Sequence, residues 1–71
     1  MASAAVTIIV NGESREVAEG TTISRLLDDL QIPSRGIAIE LNLDILPRSR
    51  HMRQTLTHGD RLEIVSLVGG G

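Results

Sequence analysis

The side chains capable of chemistry are few and scattered along this sequence. Its two histidines, His51 and His58, lie in polar stretches, and the chain has no cysteine to complete a metal site beside them. Asp28 and Asp29 are adjacent, and neighbouring residues on a helix point in different directions, so they do not form a shared-proton pair. No serine lies in a G-x-S-x-G sequence. We therefore interpret both histidines as solvated loop residues and the aspartates as part of a polar helix face.

The end of the sequence is its most unusual segment. Val68 precedes Gly69, Gly70 and Gly71, and no helix follows these glycines to make them a phosphate-binding loop. We expect a flexible tail over 68–71 that can enter a partner's narrow active site, with a reach of roughly 10–13 Å. A C-terminal carboxylate with a pKa of about 3.5 is ionised and must be activated before it reacts. The tail alone leaves two interpretations open: a frayed end without function, as is common for termini with small residues, or a reactive carboxylate at Gly71 with no catalytic side chain in the chain.

The composition is typical of one globular domain spanning 1–71. Hydrophobic residues make up 41% and charged residues 23% of the chain, which is ordinary for a folded soluble protein. The net charge of -2 and the absence of aromatic residues argue against a nucleic-acid partner. No long apolar run suggests a membrane segment or a signal peptide. We expect a cytoplasmic protein with no nucleic-acid or membrane partner.

Two strands and a helix are predicted in the first half of the chain. The β-branched run at 6–10 and the more polar run at 13–17 are joined by Asn11-Gly12, a pair that favours a tight hairpin turn. Thr22 is the expected N-cap of an amphipathic helix that Pro33 and Gly36 close. The apolar stripe of this helix has the spacing i, i+3, i+4, i+7 and consists of Ile23, Leu26, Leu27 and Leu30.

The second half of the chain predicts further strands. Alternation at 37–41 indicates a half-buried strand, 45–47 a short extended segment, and 61–67 a strand apolar enough to lie centrally in a sheet. The element order predicts an α+β fold with the helix packed across one face of the sheet. Because the last strand has more apolar residues than one face needs, some are expected to be exposed near the tail. We therefore predict a partner docking surface of Val65, Leu67 and Val68.

Several short motifs resemble those of the ThiS family of sulfur carriers, and their order and spacing match from Val6 to Gly71. They are Asn11-Gly12-Glu13, Gly20-Thr21-Thr22 with Leu26-Leu27, the run 37–42 leading to Leu46-Pro47-Arg48, Gly59-Asp60 and the terminal glycines. The resemblance implies a ubiquitin-like β-grasp fold, related to that of MoaD, with a mixed sheet of four to five strands and one main helix. The family usually ends in two glycines, whereas this chain has three.

The resemblance also implies a function and its partners. A ThiF-like or ubiquitin-activating-type enzyme would use ATP and Mg²⁺ to adenylate Gly71, and a cysteine desulfurase or sulfurtransferase would supply sulfur. The resulting thiocarboxylate would donate sulfur to a ThiG-like thiazole synthase in thiamine biosynthesis. The chain itself would bind no cofactor and would be a carrier, not an enzyme. A chain without cysteine is consistent with sulfur carried at the terminal acyl group.

Three alternative functions share part of this interpretation. A carrier of the same fold can serve molybdopterin synthase or tRNA thiolation. A ubiquitin-like modifier would use the same activated glycine to form amide bonds with target lysines. A non-covalent β-grasp interaction module would not need its terminal glycines, so truncating them would change nothing.

Overall fold

Residues 4–67 are described by a computed structural model and form a five-stranded mixed sheet with an α-helix. The elements are β1 (Ala5–Val10), β2 (Glu13–Ala18), α1 (Ile23–Asp29), β3 (Ile37–Leu41), β4 (Asp44–Leu46), a 3-10 turn (Arg48–Arg50) and β5 (Arg61–Ser66). The strand order is β2-β1-β5-β3-β4, with β1 and β5 parallel and the other neighbours antiparallel. The predicted α+β class, the mixed sheet and the central position of the last strand are confirmed.

Two tight hairpins begin with an asparagine. Asn11 and Gly12 have φ angles of 48° and 84° and connect β1 to β2, as the sequence predicts. Asn42 and Leu43, with φ angles of 52° and 76°, connect β3 to β4 in the same way. Positive φ at both central residues gives the turn a twist that matches the flanking strands. Asparagine tolerates this conformation well, whereas Leu43 adopts it at a cost in strain.

Helix α1 has the predicted start and a different end. The Thr22 hydroxyl accepts a hydrogen bond from the Arg25 amide at 3.1 Å, which confirms the N-cap. The helix stops well before Pro33, because Gln31 turns left-handed with a φ of 59°. The amide of Ile32 then donates to the Leu27 carbonyl at 2.9 Å, the pattern of a Schellman cap. Proline therefore does not end the helix. No helix within residues 4–67 is long and apolar enough to cross a membrane.

The core lies between α1 and one face of the sheet. Alternate residues of the strands point to this face, as the period of two requires. The two-residue turns fix the register, so that the apolar positions of paired strands share that face. The buried apolar residues are Ile8, Val10, Ile23, Leu26, Leu27, Ile39, Leu46, Leu56 and Leu62. The opposite face of the sheet has no helix over it among the described residues, and we call it the open face.

Candidate functional site

The end of β5 holds the part of the predicted site that the structure describes. Ser66 pairs with Ile37, and the Leu67 amide donates to the Gly36 carbonyl at 2.7 Å, so β5 stays paired with the β3 side up to Leu67. The predicted reactive residue, Gly71, lies outside the described residues, as do Gly69, Gly70 and Val68. The structure therefore fixes where the chain leaves the sheet just before the tail.

Two of the predicted docking residues are exposed at this end. Val65 and Leu67 have 54% and 66% of their surface accessible, whereas Leu62, three residues before Val65 in the same strand, is fully buried. Val65 points to the open face because β5 alternates, and it lies beside Ala38 of β3. An exposed branched aliphatic residue near the point where the chain leaves the sheet is suited to contact a partner.

The open face also holds an acidic pair and a further apolar residue. Glu40 and Glu63 lie opposite each other on β3 and β5, an arrangement in which like charges repel. Ile45, opposite Glu40 on β4, is 75% exposed. Within residues 4–67, neither glutamate is within salt-bridge distance of a cation. The face therefore combines apolar side chains with negative charge.

His51 is the residue that the sequence interpretation placed wrongly. It directly follows the 3-10 turn and is only 3% exposed, and its Nε2 lies 3.3 Å from the Leu46 carbonyl oxygen. Its Nδ1 is buried and has no hydrogen-bond partner. The polar residues around it, including Arg48, Arg50 and Arg53, made this stretch resemble a solvated loop. Its backbone instead packs against the start of α1, where the His51 carbonyl accepts from the Ser24 amide at 3.0 Å. A single buried histidine among polar residues produces no hydrophobic periodicity in the sequence, so its burial could not be predicted.

The remaining polar candidates lie as predicted. His58 is exposed, and its Nδ1 accepts a hydrogen bond from the Thr7 amide at 3.2 Å. Asp28 and Asp29 are exposed on α1, and Asp29 forms a salt bridge with Arg25 at 3.2 Å. The Arg25–Asp29 contact lies within one helix, whereas the His58–Thr7 contact joins residues 51 positions apart.

The described surface offers little else for catalysis. One groove runs between β2 and α1, past Arg15 and Arg25, and a second lies between α1 and Met52; neither is lined by residues of β5. In the part of the chain that the structure describes, no three side chains of the metal-ligating types come together. The arrangement at the end of β5 can present a chain end and a surface for binding.

Known proteins match this chain along nearly its whole length. The ThiS family model matches residues 8–71. A thiazole synthase from Paramagnetospirillum magneticum is 41% identical over 64 residues, which cover 90% of this chain and 20% of that protein. The chain thus spans about a fifth of the length of that relative. The sulfur carrier protein ThiS from Thermus thermophilus is 32% identical over 62 residues, covering 87% of this chain and 95% of the carrier.

A solved structure extends the match to three dimensions. The crystal structure of the thiamine biosynthesis protein ThiS from Geobacter metallireducens superposes with a TM-score of 0.79 and 30% identity. The superposition covers 93% of this chain and 100% of the Geobacter protein, so the two share the order of strands and helix. The matching family model and the matching fold together show that this chain belongs to the ThiS family and has its β-grasp fold.

Proposed function

We propose that this chain is a sulfur carrier for thiazole formation in thiamine biosynthesis, with Gly71 as the residue that carries the sulfur. The observation that carries the proposal is the family match, which extends through residue 71 and so includes all three glycines. The fold supports it, because the central strand β5 leads directly into that segment. The chain has no cysteine, so it has no thiol on which to hold sulfur.

The proposed chemistry starts with activation of the carboxylate. An oxygen of the Gly71 carboxylate attacks the α-phosphorus of ATP, the bond to the β-phosphate breaks, and pyrophosphate leaves with Mg²⁺. The product is an acyl-adenylate, which is far more electrophilic than the carboxylate. The terminal sulfur of a persulfide on a cysteine desulfurase or sulfurtransferase then attacks the acyl carbon, and AMP departs. A second thiol, such as free cysteine, reduces the resulting acyl disulfide, which breaks the S–S bond and leaves the thiocarboxylate on Gly71. The steps take place in a ThiF-like adenylating enzyme and its sulfur donor, so the carrier contributes its tail and its docking surface.

A ThiG-like thiazole synthase is the proposed acceptor of the sulfur. Two proteins named thiazole synthase, from Paramagnetospirillum magneticum and Magnetococcus marinus, contain a stretch similar to this chain over 64 residues each. A stretch similar to this carrier within a single polypeptide of that name favours thiazole formation over molybdopterin synthesis or tRNA thiolation as the pathway. It equally favours sulfur transfer over conjugation to lysines.

The docking surface proposed for the adenylating enzyme lies on the open face near the end of β5. Val65 and Leu67 contribute its described apolar residues, and Val68 is the third residue proposed. Burial of apolar surface at this place stabilises a complex by roughly 25 cal/mol per Å². Binding here would hold the domain while residues 69–71 enter the active site.

Mass measurement of the C-terminal peptide tests the proposal. The chain is incubated with ATP, Mg²⁺, a ThiF-like enzyme, a cysteine desulfurase and cysteine, and the peptide containing Gly71 is then analysed. We expect a mass increase that corresponds to replacement of one oxygen by sulfur, only when ATP is present. The product should then support thiazole formation by thiazole synthase. Unchanged peptide mass would overturn the sulfur-carrier proposal, and amide-linked conjugates would favour a protein modifier.

A further inference from the structure

Asn11 makes contacts with β5 that extend beyond the end of β1. Backbone pairing of β1 with β5 covers Ile9 opposite Arg61 and Val10 opposite Leu62. The Asn11 amide continues this ladder by donating to the Leu62 carbonyl at 2.9 Å. Its side chain then reaches Ile64, two residues beyond Leu62 on β5. We propose that Asn11 is a positioning residue that fixes the end of β5 from which the reactive tail leaves.

The side-chain amide of Asn11 substitutes for the next residue of a strand. Its Oδ1 accepts from the Ile64 amide at 2.7 Å, and its Nδ2 donates to the Ile64 carbonyl at 3.3 Å. A primary amide has the same donor and acceptor as a peptide unit, so it can pair with both groups of one residue. The β1 backbone cannot do this, because the hairpin turns it away at Gly12. Asn11 therefore both forms the turn and extends the pairing of β5.

The other hairpin provides an internal comparison. Asn42 holds the start of β5: its Oδ1 accepts from the Arg61 amide at 2.9 Å, and its backbone amide donates to the Arg61 carbonyl at 2.8 Å. Its Nδ2 donates to the Asp60 carboxylate at 3.0 Å. The two asparagines thus hold opposite ends of the same central strand. Both have positive φ, so replacement of either by glycine preserves the turn and removes the side-chain contacts.

The consequence for sulfur transfer rests on the proposed function. The chain continues from β5 into the glycines, so the last paired residues of β5 set the point from which the tail starts. Leu67 is held on the β3 side by Gly36, and Ile64 is held on the other side by Asn11. Reaction with ATP requires the carboxylate to reach an attack position within about 3–3.5 Å of phosphorus. A loosened end of β5 would reduce the fraction of bound carrier that reaches it.

Three variants and two measurements test this role. Asn11→Gly removes both side-chain bonds, Asn11→Asp keeps the acceptor for the Ile64 amide, and Asn42→Gly is the matched control at the far end of β5. Amide hydrogen exchange of Ile64, relative to that of Leu62 in the same strand, reports directly on whether the Asn11 side chain holds Ile64. Steady-state adenylation by the ThiF-like enzyme separates kcat from KM for the carrier.

We expect Ile64 exchange in Asn11→Gly to rise about tenfold relative to Leu62, since local opening becomes easier. Asn11→Asp should restore only part of the protection, because it keeps the acceptor for the Ile64 amide but puts a second oxygen near the Ile64 carbonyl. Asn42→Gly should leave the ratio unchanged. Adenylation kcat should fall about tenfold in Asn11→Gly with KM within about twofold, because the docking residues are intact. Asn42→Gly should keep the kcat of the parent.

Two results would overturn the assignment. Unchanged Ile64 exchange in Asn11→Gly would show that the side chain does not hold β5. An equal loss of kcat in Asn42→Gly would show that the effect is general destabilisation. If the parent chain is not adenylated at all, the proposed function fails. The exchange ratio of Ile64 to Leu62 then decides alone whether Asn11 holds β5.

Discussion

At the scale of single residues, asparagine has two roles in this fold that one residue type rarely combines. Asn11 and Asn42 each adopt a left-handed conformation that opens a tight turn, and each directs its side-chain amide to β5. Glycine would satisfy the turn but not the pairing, and most other residues would satisfy neither. The choice of asparagine at these two positions therefore couples the local turn to the long-range order of the sheet.

His51 supports a prediction about stability. Its buried Nδ1 has no hydrogen-bond partner, and such an unsatisfied group costs about 1–3 kcal/mol. His51→Leu replaces the ring with an apolar side chain of similar volume. It removes both the unsatisfied Nδ1 and the long Nε2 contact with the Leu46 carbonyl, which act in opposite directions, so the free energy of unfolding should change by no more than about 1 kcal/mol. His51→Ala should lower it by about 2 kcal/mol because a cavity remains. Urea unfolding of both variants measures the difference.

A loss of more than about 1 kcal/mol in His51→Leu would contradict this account. It would mean that the ring nitrogens contribute favourable hydrogen bonds, for example through a bound water at Nδ1. The comparison with His51→Ala separates that outcome from a simple packing effect, because both variants remove the imidazole and only one removes the volume.

The terminal glycines support a second prediction at this scale. Deletion of Gly70 and Gly71 should abolish adenylation by a ThiF-like enzyme, because the carboxylate would no longer reach the α-phosphorus. Thermal stability should hardly change, since glycines have no side chains to bury. Calorimetry and an ATP–pyrophosphate exchange assay measure the two effects. A fall in melting temperature like that of a core mutation would show that the tail packs on the domain.

At the scale of elements, helix α1 depends on its apolar stripe. Leu27 is 2% exposed and belongs to the core between helix and sheet. Leu27→Ala should lower the free energy of unfolding by about 2–5 kcal/mol, as expected for loss of a buried leucine side chain. Asp28→Ala, at the next and exposed position, is the control and should change it by no more than about 0.5 kcal/mol. Chemical denaturation of both variants tests the assigned helix face.

Short sequence patterns predicted the hairpin and the helix stripe, but they failed where structure depends on contacts outside the pattern. Asn11-Gly12 and the stripe from Ile23 to Leu30 are signals within a few residues, and both were found as predicted. The end of the helix at Asp29 was missed, because the left-handed turn that follows falls on Gln31, and glutamine has no strong preference for positive φ. The cap also depends on the backbone path of Ile32. The burial of His51 was missed because it depends on contacts formed only after folding.

The contacts of Asn11 with Ile64 were beyond sequence reasoning for a different reason. They require the parallel pairing of β1 with β5, which joins the two ends of the described chain across 53 positions. A turn motif predicts its own conformation but does not indicate which distant strand lies beside it. The tail was predicted as the reactive segment from its composition, but it lies outside the described residues, so that assignment stays a prediction.

At the scale of the whole molecule, the two faces of the sheet differ in composition and in what covers them. One face is covered by α1 and supplies the core, as the buried residues show. The open face has exposed Val65 and Ile45 around the acidic pair Glu40 and Glu63, and its apolar residues are not needed for the core. Under the proposed function, partner enzymes would contact this face without disturbing the core. Binding and transfer of the tail would then occur at one end of the molecule.

This arrangement predicts where the adenylating enzyme binds. Val65→Asp and Leu67→Asp should each weaken capture of the carrier by at least about tenfold, equivalent to about 1.4 kcal/mol, because a buried charge would replace apolar contact. The domain should stay folded, since both side chains are largely exposed in the free protein. Met52→Asp is the matched control: Met52 is 79% exposed but lies beside α1, away from the open face. The KM for the carrier measures capture, and circular dichroism checks the fold.

An unchanged KM in both variants would place the docking surface elsewhere on the domain. An equal rise in KM in Met52→Asp would show that added negative charge, not this location, weakens binding.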